Sequence, residues 1–400
     1  MPGVLPLSLA SRGPGRIRPD LERLRRALSD LGDPQHRFPS VLIVGTNGKG
    51  STAVMLEGML RRCAAITGLY TSPHLVSVTE RIRVDGRMIT DEALGRHLER
   101  LEAHPDLTFF ETLTAVAFLE FAEQRVDVAI LEAGMGGRWD ATRLAESAVA
   151  GLTMVGTDHR EWLGPTREAI AADKGAALAA AETAILGPAF DPALRGALSA
   201  PRARRASEFV ELRRNRDSLT ATWLDRGSTE LTLPLDGAHQ VHNLHLALAL
   251  AEATAKHGWI RRPEPDDIAR GVAATTWPGR LSRHVIGGRE VVLDGAHNAE
   301  GAIALAAELA TWPSPPSLLF SCLQDKPAEA MAKALRPVVG DVVICSMDDP
   351  RAMAAEGLRA AWPEARFSEN PAAGLALCPE PVVATGSLRL VGALLELEDR

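Results

Sequence analysis

Lysine is scarce in this 400-residue chain: Lys49, Lys174, Lys256, Lys326 and Lys333 are the only five among 44 basic residues. A chain that supplies positive charge almost wholly as arginine gives each lysine something to explain, because an amine is a compact charge that can react and a guanidinium is neither. Lys256 and Lys333 read as helix-surface residues; the other three stand in motif-like surroundings. Cysteine is also rare (Cys63, Cys322, Cys345, Cys378) and forms no CxxC pair, which suits a reducing cytosol and a cytoplasmic protein. No run of about 18 apolar residues exists, so a spanning helix and a membrane partner are not expected. The net charge of −7 gives no basic field for nucleic acid. "MPGVLPLSLASRGPGR" has too short an apolar run, with no charge before it, for a signal peptide. No short-period repeat or low-complexity segment is visible. With 46% hydrophobic residues, the chain can fill more than one core.

Apolar, β-branched runs alternate with helical periodicity. "VLIV" (41–44), "VDVAIL" (126–131), "GLTMV" (151–155) and "AIL" (184–186) read as buried strands, with helices near 51–62, 111–124 and 166–181. Strands buried on both faces and joined by helices imply a parallel sheet in an α/β domain. "SLTATWL" and "STELTLPL", separated by "DRG", read as an added antiparallel hairpin, followed by a helix over 239–258. "TTWPGR" (275–280) reads as a hinge, and α/β alternation resumes beyond it in "EVVLDGAHN", "SLLFSCLQDK", "DVVICSMDD" and "PVVATGS". Each of these places polar residues just after a strand, where open α/β sheets bind ligands.

"VLIVGTNGKGST" (41–52) is a strand, a glycine-rich turn and a helix start, the layout of a phosphate-binding loop. It departs from G-x4-G-K-[ST], since Ile43 stands at the first glycine position and Gly50 follows Lys49. Ser51 or Thr52 could still reach a metal. Glu132, leaving a strand into "EAGMGGRWDAT", is placed to hold Mg²⁺ on nucleotide phosphates; a solvated capping acid is the plain alternative. His159 follows another strand, where a structural histidine is the commoner outcome. Lys174, taken alone, reads as a snorkelling surface lysine.

In combination, "GTNGKGS", "TSPHL", "ERIRVDG", "FFETLTAVAFLEF", "LEAGMGGRWDAT", "DHREWLGPTREAIAADK", "WPGR", "LDGAHN" and "ATGSLRLVG" occur in an order that resembles the folylpolyglutamate and dihydrofolate synthases of the Mur ligase superfamily, from about residue 20 to 395. Glycine after the lysine is the usual form of the loop there. The resemblance implies an N-terminal P-loop ATPase domain with an added β-layer (1–279), a smaller Rossmann-like C-terminal domain (280–400), and ATP in a cleft between them near 277–280. It implies an ATP-dependent acid–amino-acid ligase joining L-glutamate to dihydropteroate or reduced folates through an acyl phosphate. Thr46, Asn47, Gly48, Lys49, Gly50 and Ser51 would bind the phosphates, and Asn243, Arg280 and Asp294 the rest of the nucleotide. Ser72 and Glu132 would hold one Mg²⁺, and His159 a second with a carbamylated Lys174, while K⁺ is a further candidate. Lys49, Lys174 and His297 would act in catalysis, and Phe109, Phe110, Glu111, Thr112, Trp139, Asp140 and Ala141 would contact the pterin substrate. A monomer is implied.

Two departures stand out. "DKGAA" (173–177) replaces the family's EKAGI, and "GGRWDATR" replaces GGRLDATN, putting Trp139 beside the implied pterin pocket. They keep open a relative acting on a non-folate acid. A non-catalytic nucleotide binder is the third class, although no NKxD-type guanine motif is present.

Overall fold

The computed structural model describes residues 7–10, 12, 18–215, 218–233 and 235–398. Most of residues 1–17, on which the expectation about a leader rests, and Pro234 in the expected hairpin lie outside the described residues. By its internal contacts the chain divides into two units, 1–234 with 240–275, and 235–239 with 276–400.

Among the described residues, the main sheet of the first unit has eight strands: β1 (Ser40–Val44), β2 (Thr67–Tyr70), β3 (Ile82–Val84), β4 (Arg87–Met88), β5 (Val128–Glu132), β6 (Val149–Leu152), β7 (Thr183–Leu186) and β8 (Arg204–Arg205). Their order is β4-β3-β2-β5-β1-β6-β7-β8, parallel except where β3 and β4 run antiparallel at one edge. Every residue of β1, β2, β5 and β6 is buried, as expected of strands with helices on both faces. The added layer has three strands rather than two: β9 (Glu211–Arg214), β10 (Leu219–Trp223) and β11 (Gly227–Leu231), antiparallel throughout. β6 ends at Leu152, three residues before the expected end. Its partner β1 stops at Val44, and Gly45 turns the chain away.

The helix Phe109–Glu123 shows how a motif residue can serve the fold. Thr108 and Glu111 form a reciprocal capping box, and the Glu111 carboxylate is also gripped by the buried Arg23 guanidinium through contacts of 3.0 and 2.7 Å. Glu111→Ala leaves that buried guanidinium only the exposed Asp20 carboxylate (2.5 Å) and the Arg18 carbonyl (3.2 Å). The expected result is a loss of about 3 kcal/mol of stability, read from the shift of the denaturant midpoint.

The second unit carries β12 (Ser282–Ile286), β13 (Arg289–Leu293), β14 (Ser317–Phe320), β15 (Val342–Cys345), β16 (Arg366–Ser368) and β17 (Val382–Thr385), in the order β12-β13-β17-β14-β15-β16. All pairs are parallel except β12 with β13. Each unit has its own apolar core, one around Leu42, Leu131 and Phe118, the other around Phe320, Met331 and Trp362. Among the described residues no helix is long and apolar enough to cross a membrane.

Candidate active site

The glycine-rich turn after β1 leads directly into the helix Lys49–Arg61. Gly48 has φ +85°, and a side chain there would collide with the Asn243 amide. A glycine is therefore required on two counts. The loop is pinned from beneath: the Thr153 hydroxyl donates to the Asn47 carbonyl (2.6 Å), and the Gly156 N–H donates to Thr46 Oγ1 (2.9 Å). Thr52 donates its hydroxyl to the Gly48 carbonyl (2.8 Å), which leaves Ser51 as the better placed of the two candidates for a metal.

Lys49 Nζ donates to the carbonyls of Gly45 and Thr46, each at 3.2 Å, and lies 4.0 Å from Glu132 Oε1. Glu132 is the last residue of β5 and only 5% exposed, so it is no solvent-facing loop acid. Its Oε2 accepts from the Ser72 N–H at 3.1 Å. Thus Lys49, Ser72 and Glu132 meet at the carboxyl ends of β1, β2 and β5, neighbours in the sheet.

Lys174 is not a surface lysine. It is 2% exposed on the helix Arg167–Leu178, and its Nζ donates to Gly45 O at 3.0 Å, the carbonyl that also receives Lys49. Burial, with the positive charge of Lys49 second, lowers its pKa from 10.5 to about 7. An amine so placed is substantially neutral near physiological pH. Asp173, Asp140 and Asp158 oppose the shift. His159 has φ 60°; its backbone N–H donates to Asp158 Oδ1 (3.0 Å), and its Nε2 lies 3.9 Å from Asp158 Oδ2. Among the described residues no cluster of three His, Cys, Asp or Glu could alone hold a metal ion.

The "DKGAA" variation has a structural reading. Asp173 Oδ1 accepts from Gly137 N–H at 2.8 Å and Arg138 N–H at 3.4 Å, fastening the loop after Glu132 onto the helix of Lys174. The loop approaches so closely that a Cβ on Gly137 would stand 2.9 Å from Lys174 Cα. Asp140 holds the other end, accepting from Met135 N–H (3.0 Å), Thr142 N–H (3.0 Å) and the Thr142 hydroxyl (2.6 Å). Burial raises its pKa.

The residues assigned to the pterin differ in what they present. Glu111, Thr112, Asp140 and Ala141 are buried, and the first three spend their polar groups on the chain itself. Phe109 lies under the Arg81 guanidinium (5.2 Å), while half-buried Phe110 sits tilted against Tyr70 at 5.9 Å. Trp139 is 52% exposed. Asp158, Thr153 and Arg81 were not singled out from sequence, and Asp173 was noted only as part of the "DKGAA" departure. Asp158 immediately precedes the chosen His159, which is the signal that pointed nearest to it.

In the second unit, Asp294 lies just beyond β13 and accepts from Leu281 N–H (3.1 Å) and Ala296 N–H (2.9 Å). Arg280 donates to Gly279 O at 2.8 Å, and His297 Nδ1 donates to Gly295 O at 2.8 Å. Asn243 belongs to the first unit, where its amide donates to Gln240 Oε1 at 2.8 Å.

A phosphate loop at the carboxyl end of a parallel sheet, with a lysine and a carboxylate beside it, defines an α/β nucleotide-binding protein. Comparison with known proteins narrows that class. Residues 43–251 match the Mur ligase middle domain, and residues 279–381 match the Mur ligase glutamate ligase domain. The dihydrofolate synthase/folylpolyglutamate synthase of Mycobacterium tuberculosis is 38% identical over 389 residues, covering 89% of this chain and 80% of that protein. Escherichia coli FolC in complex with DHPP and ADP superposes with a TM-score of 0.85 at 27% identity, over 98% of this chain and 97% of that one. The Yersinia pestis bifunctional folylpolyglutamate synthase/dihydrofolate synthase complexed with AMPPNP and Mn ion gives 0.82 at 25% identity, over 98% and 99%. The chain belongs to the folylpolyglutamate synthase/dihydrofolate synthase family of Mur ligases.

Proposed function

We propose that this protein is an ATP-dependent ligase that joins L-glutamate to a pterin-bearing carboxylate: dihydropteroate, a reduced folate, or both. The observation that carries the reading is the meeting of Lys49 and the buried, low-pKa Lys174 on one loop carbonyl, with Glu132 at 4.0 Å from Lys49. A carboxylate oxygen of the acid bonds to the γ-phosphorus of ATP as the bond to ADP breaks. The glutamate amine nitrogen then attacks the acyl carbon, expelling phosphate and losing its proton. Phosphoryl transfer asks mainly for positioning and charge neutralisation. Lys49, the loop amides of 46–51 and Asn243 supply both at the nucleotide. Arg280 and Asp294 are assigned to the nucleotide as well, and His297 to the acyl phosphate and glutamate.

The donors suit Mg²⁺, which takes one or two carboxylates with phosphate and water oxygens and so needs no three-acid cage. Glu132 and Ser72 would hold one ion, and His159 with a Lys174 carbamate a second. Magnesium so bound neutralises charge on the transferred phosphoryl group. Carbamylation joins the neutral Lys174 amine to CO₂ and releases a proton, converting the amine into an anionic oxygen donor. Half-buried Phe110 and exposed Trp139 offer ring faces to the pterin acid, while buried Phe109 would line the pocket from beneath Arg81. A cytoplasmic, monomeric enzyme with K⁺ as an additional cofactor completes the reading, and four free, buried cysteines suit a reducing compartment.

The test is phosphate release from ATP with L-glutamate, offering dihydropteroate, tetrahydrofolate and methylenetetrahydrofolate in turn. Release that depends on both glutamate and one of these acids is expected. Glutamate-dependent release with none of them would reassign the enzyme to a different acid.

A further inference from the structure

In the second unit, the strands β17, β14 and β15 lie side by side and parallel, so the segments leaving their carboxyl ends share one rim of the sheet. Three of these segments interlock. Gly386, after β17, comes so close to Ser321, after β14, that a Cβ there would strike the Ser321 carbonyl. Leu323 bridges to Ala352, and Met353 N–H donates to Cys322 O at 2.9 Å, tying the segment after β14 to the one after β15.

Two guanidiniums converge on this rim. Arg351 holds Asp349 through two contacts, Nε to Oδ1 at 3.2 Å and an Nη to Oδ2 at 3.1 Å, and Arg389 Nε reaches the same Oδ2 at 3.3 Å. Asp349 is mostly buried and Arg389 half-buried. One carboxylate thus serves two cations, leaving a surplus positive charge. Arg389 also lies in the first turn of the helix Leu388–Glu398, which has no acidic residue there. A helix N-terminus favours anions, so a cation at this position costs stability unless an anion joins it. The Ser321 hydroxyl is fully buried and has no hydrogen-bond partner, an unsatisfied polar atom on the same rim. An ion pair built only to clasp two segments would need neither the second arginine nor the orphaned hydroxyl.

We propose that Arg389 and Arg351, oriented by Asp349, recognise the side-chain carboxylate of the incoming amino acid and so select a dicarboxylic amino acid over its neutral amide. This rests on the amino-acid ligase reading above and adds to it the residues that set amino-acid choice. Arg389 suits the task because a planar guanidinium fork can meet a carboxylate with two parallel hydrogen bonds, while Arg351, engaged on Asp349, adds its charge and remaining N–H groups.

The experiment compares wild type with Arg389→Leu, Arg351→Leu and Arg389→Lys, measuring KM for L-glutamate, KM for ATP, discrimination between L-glutamate and L-glutamine, and the thermal midpoint. Each leucine variant is expected to raise KM for L-glutamate by about tenfold or more, the loss of one charge-assisted contact. KM for ATP should stay within about twofold, and the preference for glutamate over glutamine should shrink. Arg389→Lys keeps the charge without the fork and should recover part of the loss. If both leucine variants keep the wild-type KM and preference and lose only thermal stability, the pair is a structural clasp and the proposal is overturned. The conservative lysine variant and Arg351→Leu decide the matter if Arg389→Leu fails to fold. A wild-type enzyme that ligates no glutamate to any acid would instead refute the ligase reading itself.

Discussion

Lys174→Ala abolishes ligation, and Lys174→Arg is as inactive as the alanine variant. That result is expected if the side chain serves as an amine that becomes an oxygen donor, as proposed above, because a guanidinium can do neither. The surroundings suit that role better than a structural cation: the group is 2% exposed, shares a carbonyl with Lys49, and burial lowers its pKa to about 7. Loss of a group that stabilises charge in the transition state costs on the order of 10²–10³-fold, and loss of a metal ligand adds to it. Acetate or formate should partly restore the alanine variant by supplying the missing oxygens. The folded pKa lies below the unfolded 10.5. Between about 7 and 10.5 the unfolded chain therefore holds a proton at this site that the folded chain does not, and stability contributed by Lys174 rises with pH across that window. An arginine variant ligating glutamate at near wild-type rate would refute the carbamate.

Glu132→Gln should cripple turnover and leave the fold intact. Glutamine keeps the shape and still offers an oxygen to the Ser72 N–H, so the strand end is preserved. The charge that would hold Mg²⁺ is lost, and Lys49, already resting on two carbonyls, is left without its acid. Even groups that only orient a metal ligand cost about 10–100-fold in affinity or activity when removed. The magnesium concentration for half-maximal rate should rise at least that much. Near-full activity at low magnesium would remove Glu132 from the metal's coordination sphere.

The main parallel strands and the helices between them were legible because their residues are apolar without alternation, the signature of strands buried on both faces. Strands β3 and β4 were not, because they span only three and two residues and carry too few positions to show a period, and β2 was not because Thr67 and Gly68 leave it no apolar run. The third strand of the added layer, Glu211–Arg214, hides because three of its four residues are charged. At the site, the glycine loop and Glu132 could be read from local chemistry. Lys174 could not: the Ile170 and Ala171 side of its helix looks like any amphipathic helix, and only the approach of Gly45 from 129 positions away reveals the buried amine. Glu111 shows the converse. "TFFE" is a capping box in plain view, and the side chain that the resemblance assigns to substrate is held by Arg23 and the Thr108 N–H.

The scarcity of lysine has a practical side once burial is known. Lys174 is enclosed, and Lys49 and Lys326 keep only 14% and 8% of their side chains exposed. Lys256 and Lys333 stand in solvent. Amine-directed reagents such as activated esters should therefore modify these two lysines first, one in each unit and neither at the phosphate loop. Dyes, biotin or a solid support can be attached there under mild stoichiometry with the amines of Lys49 and Lys174 untouched, which gives a donor and an acceptor position for watching the two units by energy transfer without introducing a single new cysteine.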